Sequence, residues 1–153
     1  MIVKTIAWQT EADTASSARA LARQPAVNNA MIELRGDLGT GKTTFVRHLL
    51  HALGVQGRIK SPTYTVVEPY SLVDAGLDIW HFDFYRFNDP DEWEEAGFRD
   101  IFASCGLKLV EWPDNAGPHL PQPDLALSIV LLADESRAVT LSAFTPTGKR
   151  LLA

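Results

Sequence analysis

The chain has 153 residues, 46% apolar and 22% charged, with 14 Lys and Arg against 19 Asp and Glu and a net charge of -5. That length suits one hydrophobic core, and the composition argues against disorder. The negative balance argues against a protein that coats nucleic acid unaided, although a local basic patch still leaves room for RNA beside a partner. One cysteine, Cys105, excludes an intramolecular disulfide and is expected as a small semi-buried hydrophobe.

Ile2–Trp8 predicts a first strand. The N-terminus carries no long apolar region or small-residue cleavage site, so no signal peptide is expected. Leu125–Ala133 is the longest mainly apolar stretch and is far too short for a membrane span, which predicts a cytoplasmic protein without membrane contact. Thr10 and Asp13 form a helix-start pattern ahead of Ala15–Arg23. Ala30–Leu34 is a short apolar run that ends in a glycine loop. Lys42–Leu53 then reads as a helix stopped by Gly54, with Phe45, Val46, Leu49, Leu50 and Leu53 on one buried face.

Downstream, Thr63–Val67 is β-rich, and Asp78–Phe84 alternates Ile79, His81 and Asp83 against Trp80, Phe82 and Phe84. Asp89-Pro90 opens a short helix through Glu95, with Gly97 as its end. Leu107–Val110 predicts another strand and Pro113–Pro123 a Pro/Gly-rich connection. Leu125–Leu132 and Ala138–Phe144 predict two late strands. Strands and helices alternate early and strands dominate late. The expected fold is α/β: a three-layer P-loop NTPase-like domain over residues 1–153, its central sheet mixed and partly parallel.

Between strand and helix stands Gly36-Asp37-Leu38-Gly39-Thr40-Gly41-Lys42-Thr43, a full match to Gly-x-x-x-x-Gly-Lys-Ser/Thr. By chance that pattern arises in roughly 0.5% of chains this long. Glycines let backbone N–H groups approach phosphate oxygens, and the helix start favours the same anion. Asp37, Leu38, Gly39, Thr40, Gly41, Lys42, Thr43 and Thr44 are therefore the expected nucleoside-triphosphate-binding residues. Lys42, expected as an exposed loop cation, supplies charge between the β- and γ-phosphates, and the Thr43 hydroxyl is suited to Mg²⁺. Asp83 and Glu111 end predicted strands, where α/β sheets hold ligands, and either carboxylate suits the metal or the attacking water.

Other residues admit two readings. His81 fits a semi-buried strand residue better than a ligand. Arg86 suits developing phosphate charge or an ion pair with Asp83 or Asp89. Trp93 and Trp112 suit packing, with Trp112 placed to orient Glu111. The segment Arg58–Thr65 reads either as a γ-phosphate-sensing loop through Ser61 or Thr63, or as an ordinary polar loop.

Four motifs occur in order: Gly36–Phe45, Ser61-Pro62-Thr63-Tyr64-Thr65, His81-Phe82-Asp83-Phe84-Tyr85-Arg86 and Leu109-Val110-Glu111-Trp112-Pro113. Together they resemble the bacterial TsaE family, formerly YjeE, over about Thr10 to Pro121. The resemblance implies an ATPase needed for threonylcarbamoyladenosine modification of tRNA, acting on a complex of TsaD and TsaB, with tRNA contact through that complex. It implies ATP and Mg²⁺ as cofactors, phosphate and metal binding by Lys42 and Thr43, and metal binding by Glu111. It also gives Asp83 a Walker B-like position, makes Ser61–Thr65 a switch-like loop, and sets Trp112 beside the nucleotide. Thr10 and Glu11 would lie near the adenine. Thr40 stands where alanine is frequent, and no residue after Pro121 is assigned a role. The rival readings are a small-molecule or nucleoside kinase, for which an arginine-rich lid is missing, and a nucleotide-dependent binding module without turnover.

Overall fold

The computed structural model describes residues 1–153. Seven strands form one sheet, in the spatial order β1-β7-β6-β2-β5-β4-β3. These are β1 (Ile2–Trp8), β2 (Met31–Arg35), β3 (Val67–Leu72), β4 (Leu77–Asp83), β5 (Leu107–Glu111), β6 (Leu125–Leu131) and β7 (Arg137–Ala143). β2 lies at the centre, parallel to β5 and β6, and β4 continues parallel to β5. The edges are antiparallel: β3 on β4, β7 on β6 and β1 on β7. The mixed sheet has its parallel part around the phosphate loop, as expected.

Helices α1 (Glu11–Ala22) and α2 (Lys42–Leu53) cover one face. Thr10 starts α1 with a capping box, its side chain receiving the Asp13 N–H while Asp13 answers the N-cap backbone. Phe45, Val46, Leu49 and Leu50 of α2 bury against Ile32 and Leu34 of β2, Ile79 of β4 and Leu107 and Leu109 of β5. Trp8 stacks on Phe45 with ring centroids 5.5 Å apart, and its indole N–H donates to Ser17 Oγ. On the opposite face α3 (Asp91–Glu95) and α4 (Arg99–Ala103) close a smaller aromatic cluster of Phe82, Phe84, Trp93 and Phe98 with Met31 and Val110. Strand alternation thus sends Ile79 and Leu109 to one core and Phe82 and Val110 to the other.

Two expectations need correction, and two short helices lie outside them. Thr63–Val67 is a turn, and the strand begins only at Val67. Pro69 lies inside that strand, which an edge position tolerates because one N–H side needs no partner. Helix α3 runs through Glu95 and stops before Gly97, as expected, and a further short helix, α4, follows that glycine. A last helix, α5 (Pro146–Leu151), follows β7, capped by Thr145 Oγ1, which receives the Gly148 N–H. Cys105 is exposed rather than semi-buried. No helix is long and apolar enough to cross a membrane.

Candidate nucleotide site

The phosphate loop leaves β2 at Arg35 and enters α2 at Lys42. Gly36 and Gly41 carry φ of +151° and +103°, values that favour glycine. A β-carbon on Gly36 would stand 2.6 Å from the Ile129 carbonyl oxygen and 2.7 Å from Thr40 Oγ1. Position 36 therefore requires glycine for space as well as for conformation. Gly41 caps α2, so the helix's unpaired N–H groups and its positive dipole end open onto the loop.

A cavity of about 290 Å³ sits there, lined by Leu38, Gly39, Gly41, Lys42, Thr43, Thr44, Thr63, Asp83, Tyr85, Glu111, Trp112 and Arg137. The structure brings together most of the residues expected from sequence. Two stand apart from the wall. Thr40 is buried, its hydroxyl donating to the Asp37 carbonyl, and Asp37 turns its side chain to solvent.

Lys42 is buried, at 5% exposure, against the expectation of an exposed cation. Its ammonium donates to the carbonyls of Gly36 (2.5 Å) and Asp37 (2.9 Å) and lies 4.4 Å from the centroid of the Trp112 ring. Burial lowers its pKa from the ordinary lysine value, while the charges of Glu111, Asp83 and Asp37 oppose that fall. Trp112 holds its ring there with a left-handed φ of +56°, an unfavourable conformation for a bulky residue that ends β5 abruptly.

Asp83 and Glu111 are register partners in the parallel β4–β5 pair and end those strands side by side. Period-two alternation puts His81 and Asp83 on the α2 face with Ile79, and Glu111 on it with Leu109. Glu111 is 2% exposed and accepts from Thr43 Oγ1 at 3.0 and 3.2 Å. Its Oε2 also meets His81 Nε2 at 2.6 Å, and His81 is completely buried. His81 therefore orients the carboxylate, a role that its sequence position between apolar neighbours did not reveal. Asp83 Oδ1 accepts the Tyr85 N–H at 2.9 Å and Oδ2 accepts from Thr63 Oγ1 at 3.2 Å. The Val66 carbonyl accepts the Asp83 N–H, so both backbone and side chain of Asp83 are tied to the turn at Pro62–Val66.

Burial raises the Asp83 pKa above the ordinary carboxylate range, opposed by the Tyr85 N–H and reinforced by nearby Glu111. A raised folded-state pKa stabilises the fold at low pH, and that contribution is lost as pH rises through it. Asp83→Asn should therefore raise the melting temperature of nucleotide-free protein at pH 8, by only about 2 °C because the Tyr85 N–H and the Thr63 hydroxyl offset part of the cost of burying the carboxylate. The gain should close as pH falls into the carboxylate range. Melts at pH 8 and pH 5 check this, and a lower melting temperature at pH 8 would contradict it.

The residues fit a hard cation. The Thr43 hydroxyl and the Glu111 carboxylate already touch at the mouth of the cradle, and Asp83 stands on the adjacent strand end. No three His, Cys, Asp or Glu side chains converge into an all-protein cage. A magnesium site that shares its ligands with phosphate and water has this composition.

Three features lay outside the sequence expectations. Arg137, at the start of β7, donates from Nε to the Thr40 carbonyl at 2.5 Å and also lines a second cavity with Glu11, Thr14, Gly41 and Thr44. Only the β6–β7 hairpin brings it there, which no local motif signals. Tyr85 joins the wall with its ring 5.0 Å from Trp112. Arg86 pairs with neither Asp83 nor Asp89; its guanidinium covers the Tyr64 ring at 4.2 Å. Trp93 is packed, as expected, against Phe102 and His119.

A family model described as threonylcarbamoyl adenosine biosynthesis protein TsaE matches residues 8–139. The tRNA threonylcarbamoyladenosine biosynthesis protein TsaE of Haemophilus influenzae is 44% identical over 122 residues, 80% of this chain and 75% of the relative. The protein of that name from Bacillus subtilis is 38% identical over 120 residues, 78% and 72% of the two chains. The crystal structure of Bacillus subtilis YdiB superposes with a TM-score of 0.77 at 29% identity, over 99% of this chain and 94% of that one. The family match runs from the end of β1 into β7 and takes in every wall of the phosphate cavity, so the chain belongs to the TsaE family.

Proposed function

We propose that residues 1–153 act as one P-loop ATPase domain, an accessory protein of threonylcarbamoyladenosine modification of tRNA that works on a TsaD–TsaB complex. The observation that carries this reading is the contact of Thr43 with Glu111 at 3.0 Å, at the opening of the Lys42 cradle and beside Asp83. Family membership supports the pathway, and the four sequence motifs support ATP as the nucleotide.

In this reading Gly39–Thr44 holds the phosphates through backbone N–H groups and the α2 dipole. Lys42 leaves its two carbonyls and donates to the β- and γ-phosphates, exchanging neutral acceptors for charged ones. Thr43 and Glu111 would hold Mg²⁺, which when bound would supply positive charge against the phosphate oxygens. Asp83 orients the attacking water and takes up its proton, a task suited to a carboxyl whose pKa is raised by burial. Thr63 reports on that step, because its hydroxyl already touches Asp83 from the Ser61–Thr65 loop. Arg86 rests on Tyr64 outside the cavity wall, and the one arginine of the wall, Arg137, is held by the Thr40 carbonyl, so in this reading neither is poised on the γ-phosphate.

An incomplete site of this kind predicts slow hydrolysis by the isolated protein and at least tenfold faster turnover once a partner orders the loop. Steady-state ATPase assays with TsaD and TsaB titrated in provide the test. A fast intrinsic rate that the partners leave unchanged would sink the accessory-ATPase reading.

A further inference from the structure

The loop that reaches Asp83 also builds a cationic groove on its outer side. A cavity of about 720 Å³ is lined by Arg47 and His51 of α2 and by Arg58, Ile59, Lys60 and Ser61. Arg47 and His51 are four residues apart and share a helix face. Arg47, His51, Arg58 and Lys60 are all exposed. No carboxylate lies within ion-pair distance of Arg47, Arg58 or Lys60, whereas Arg35 and Arg99 are paired with acids. One acid, Glu68, stands near Tyr70 and accepts from Thr65. Three uncompensated cations in one depression are a concentrated field on a chain whose net charge is -5.

The chemistry of the groove selects among anionic partners. Its single apolar lining residue, Ile59, is itself buried at 5% exposure, so the groove offers no anchor pocket of the kind that protein interfaces use. Four residues beyond Lys60 the same loop presents Tyr64, 81% exposed, with the unpaired Arg86 guanidinium over its ring. A cationic track followed by an exposed aromatic and an arginine plane suits a phosphate backbone with a splayed base. We propose that Arg47, Arg58 and Lys60 form a direct docking track for the RNA phosphate backbone, with Tyr64 and Arg86 as its stacking end. This rests on the proposed role in tRNA modification and adds a contact made by this chain itself. Ser61 Oγ lies 2.8 Å from Thr63 Oγ1, and Thr63 reaches Asp83, so the track adjoins the phosphate site through two hydroxyls.

The test is fluorescence anisotropy of the full chain with a labelled, unmodified tRNA transcript at 50, 100 and 200 mM KCl, values chosen as roughly the range over which counterion release is read. Binding is expected to weaken with a log–log salt slope of about -2 to -3, as for three phosphate contacts. Arg58→Ala combined with Lys60→Ala should weaken it at least about tenfold and flatten the slope by about 2. Tyr64→Ala should weaken it about fivefold or more with the slope unchanged. Nucleotide titration and melting temperature should match wild type in the double variant, since neither residue lines the phosphate cavity. Absence of tRNA binding at the lowest salt, indifference to the double variant, or equally tight binding of polyglutamate would overturn the proposal. Failure of wild type to bind ATP would instead count against the ATPase reading and leave these RNA measurements intact.

Discussion

Replacing Lys42 by alanine should lower triphosphate affinity by at least about 100-fold, the equivalent of roughly 3 kcal/mol for a lost charge-assisted contact. The geometry sets the size of the effect. Lys42 sits at 5% exposure with two carbonyls and a tryptophan face as its partners, none of which carries a full negative charge. Burial depresses its pKa, so the folded protein holds this cation at a cost that phosphate relieves. Alanine removes both that cost and three hydrogen bonds' worth of donor capacity. The two effects oppose each other in the nucleotide-free fold, and the melting temperature should change by only about 3 °C in either direction. They add in the complex, because a triphosphate in the cradle then has no cation at its β–γ junction. Nucleotide titration and thermal melting separate the two. Near-normal affinity in the variant would remove the phosphate-loop assignment altogether.

The contrast between what was legible and what was not follows from the range of the forces involved. Local rules placed β1, α1, α2 and β4 to within a residue or a few, because a capping box, a C-terminal glycine and two hydrophobic periods each act over less than a dozen residues. Alternation along Ile79, His81 and Asp83 already put the acid on one side of its strand, the side that the structure sets against α2. Whether His81 faced a partner was a different question. Its answer depended on β5 lying parallel beside β4 in a register that sets Glu111 opposite Asp83. Arg137 shows the same limit more sharply, since 97 residues separate it from the Thr40 carbonyl that it grips. β3 escaped because Thr63–Val67 has the β-branched residues of a strand, yet Thr63 and Val66 spend their polar groups on Asp83. Tertiary demand at the site overrode local propensity there.

Glu111→Gln is expected to separate binding from chemistry. The amide keeps the carboxylate's shape and can still meet Thr43 Oγ1, so ATP affinity without metal should stay within about threefold of wild type. Mg²⁺-dependent hydrolysis should fall by at least about 100-fold, roughly 3 kcal/mol of lost stabilisation. Three contacts explain why this position has so little slack. Both carboxylate oxygens of Glu111 are engaged by Thr43, and Oε2 by His81 as well, so its orientation is fixed before any ligand arrives. Glutamine presents one oxygen and one NH₂ to that same pair of partners, and only the oxygen can serve a cation. Turning the amide oxygen toward Thr43 faces its NH₂ toward His81, whose imidazole can accept by changing tautomer. The neighbouring residue therefore tolerates the substitution, and loss of charge becomes the dominant change. Asp83→Asn should also slow turnover, while leaving the response to Mg²⁺ concentration closer to wild type because its contacts are Tyr85 and Thr63 rather than Thr43. Metal titrations of turnover in the two variants distinguish the roles. An unchanged rate and unchanged Mg²⁺ dependence in Glu111→Gln would reduce Glu111 to a buried strand-end acid that orders Thr43 and nothing more.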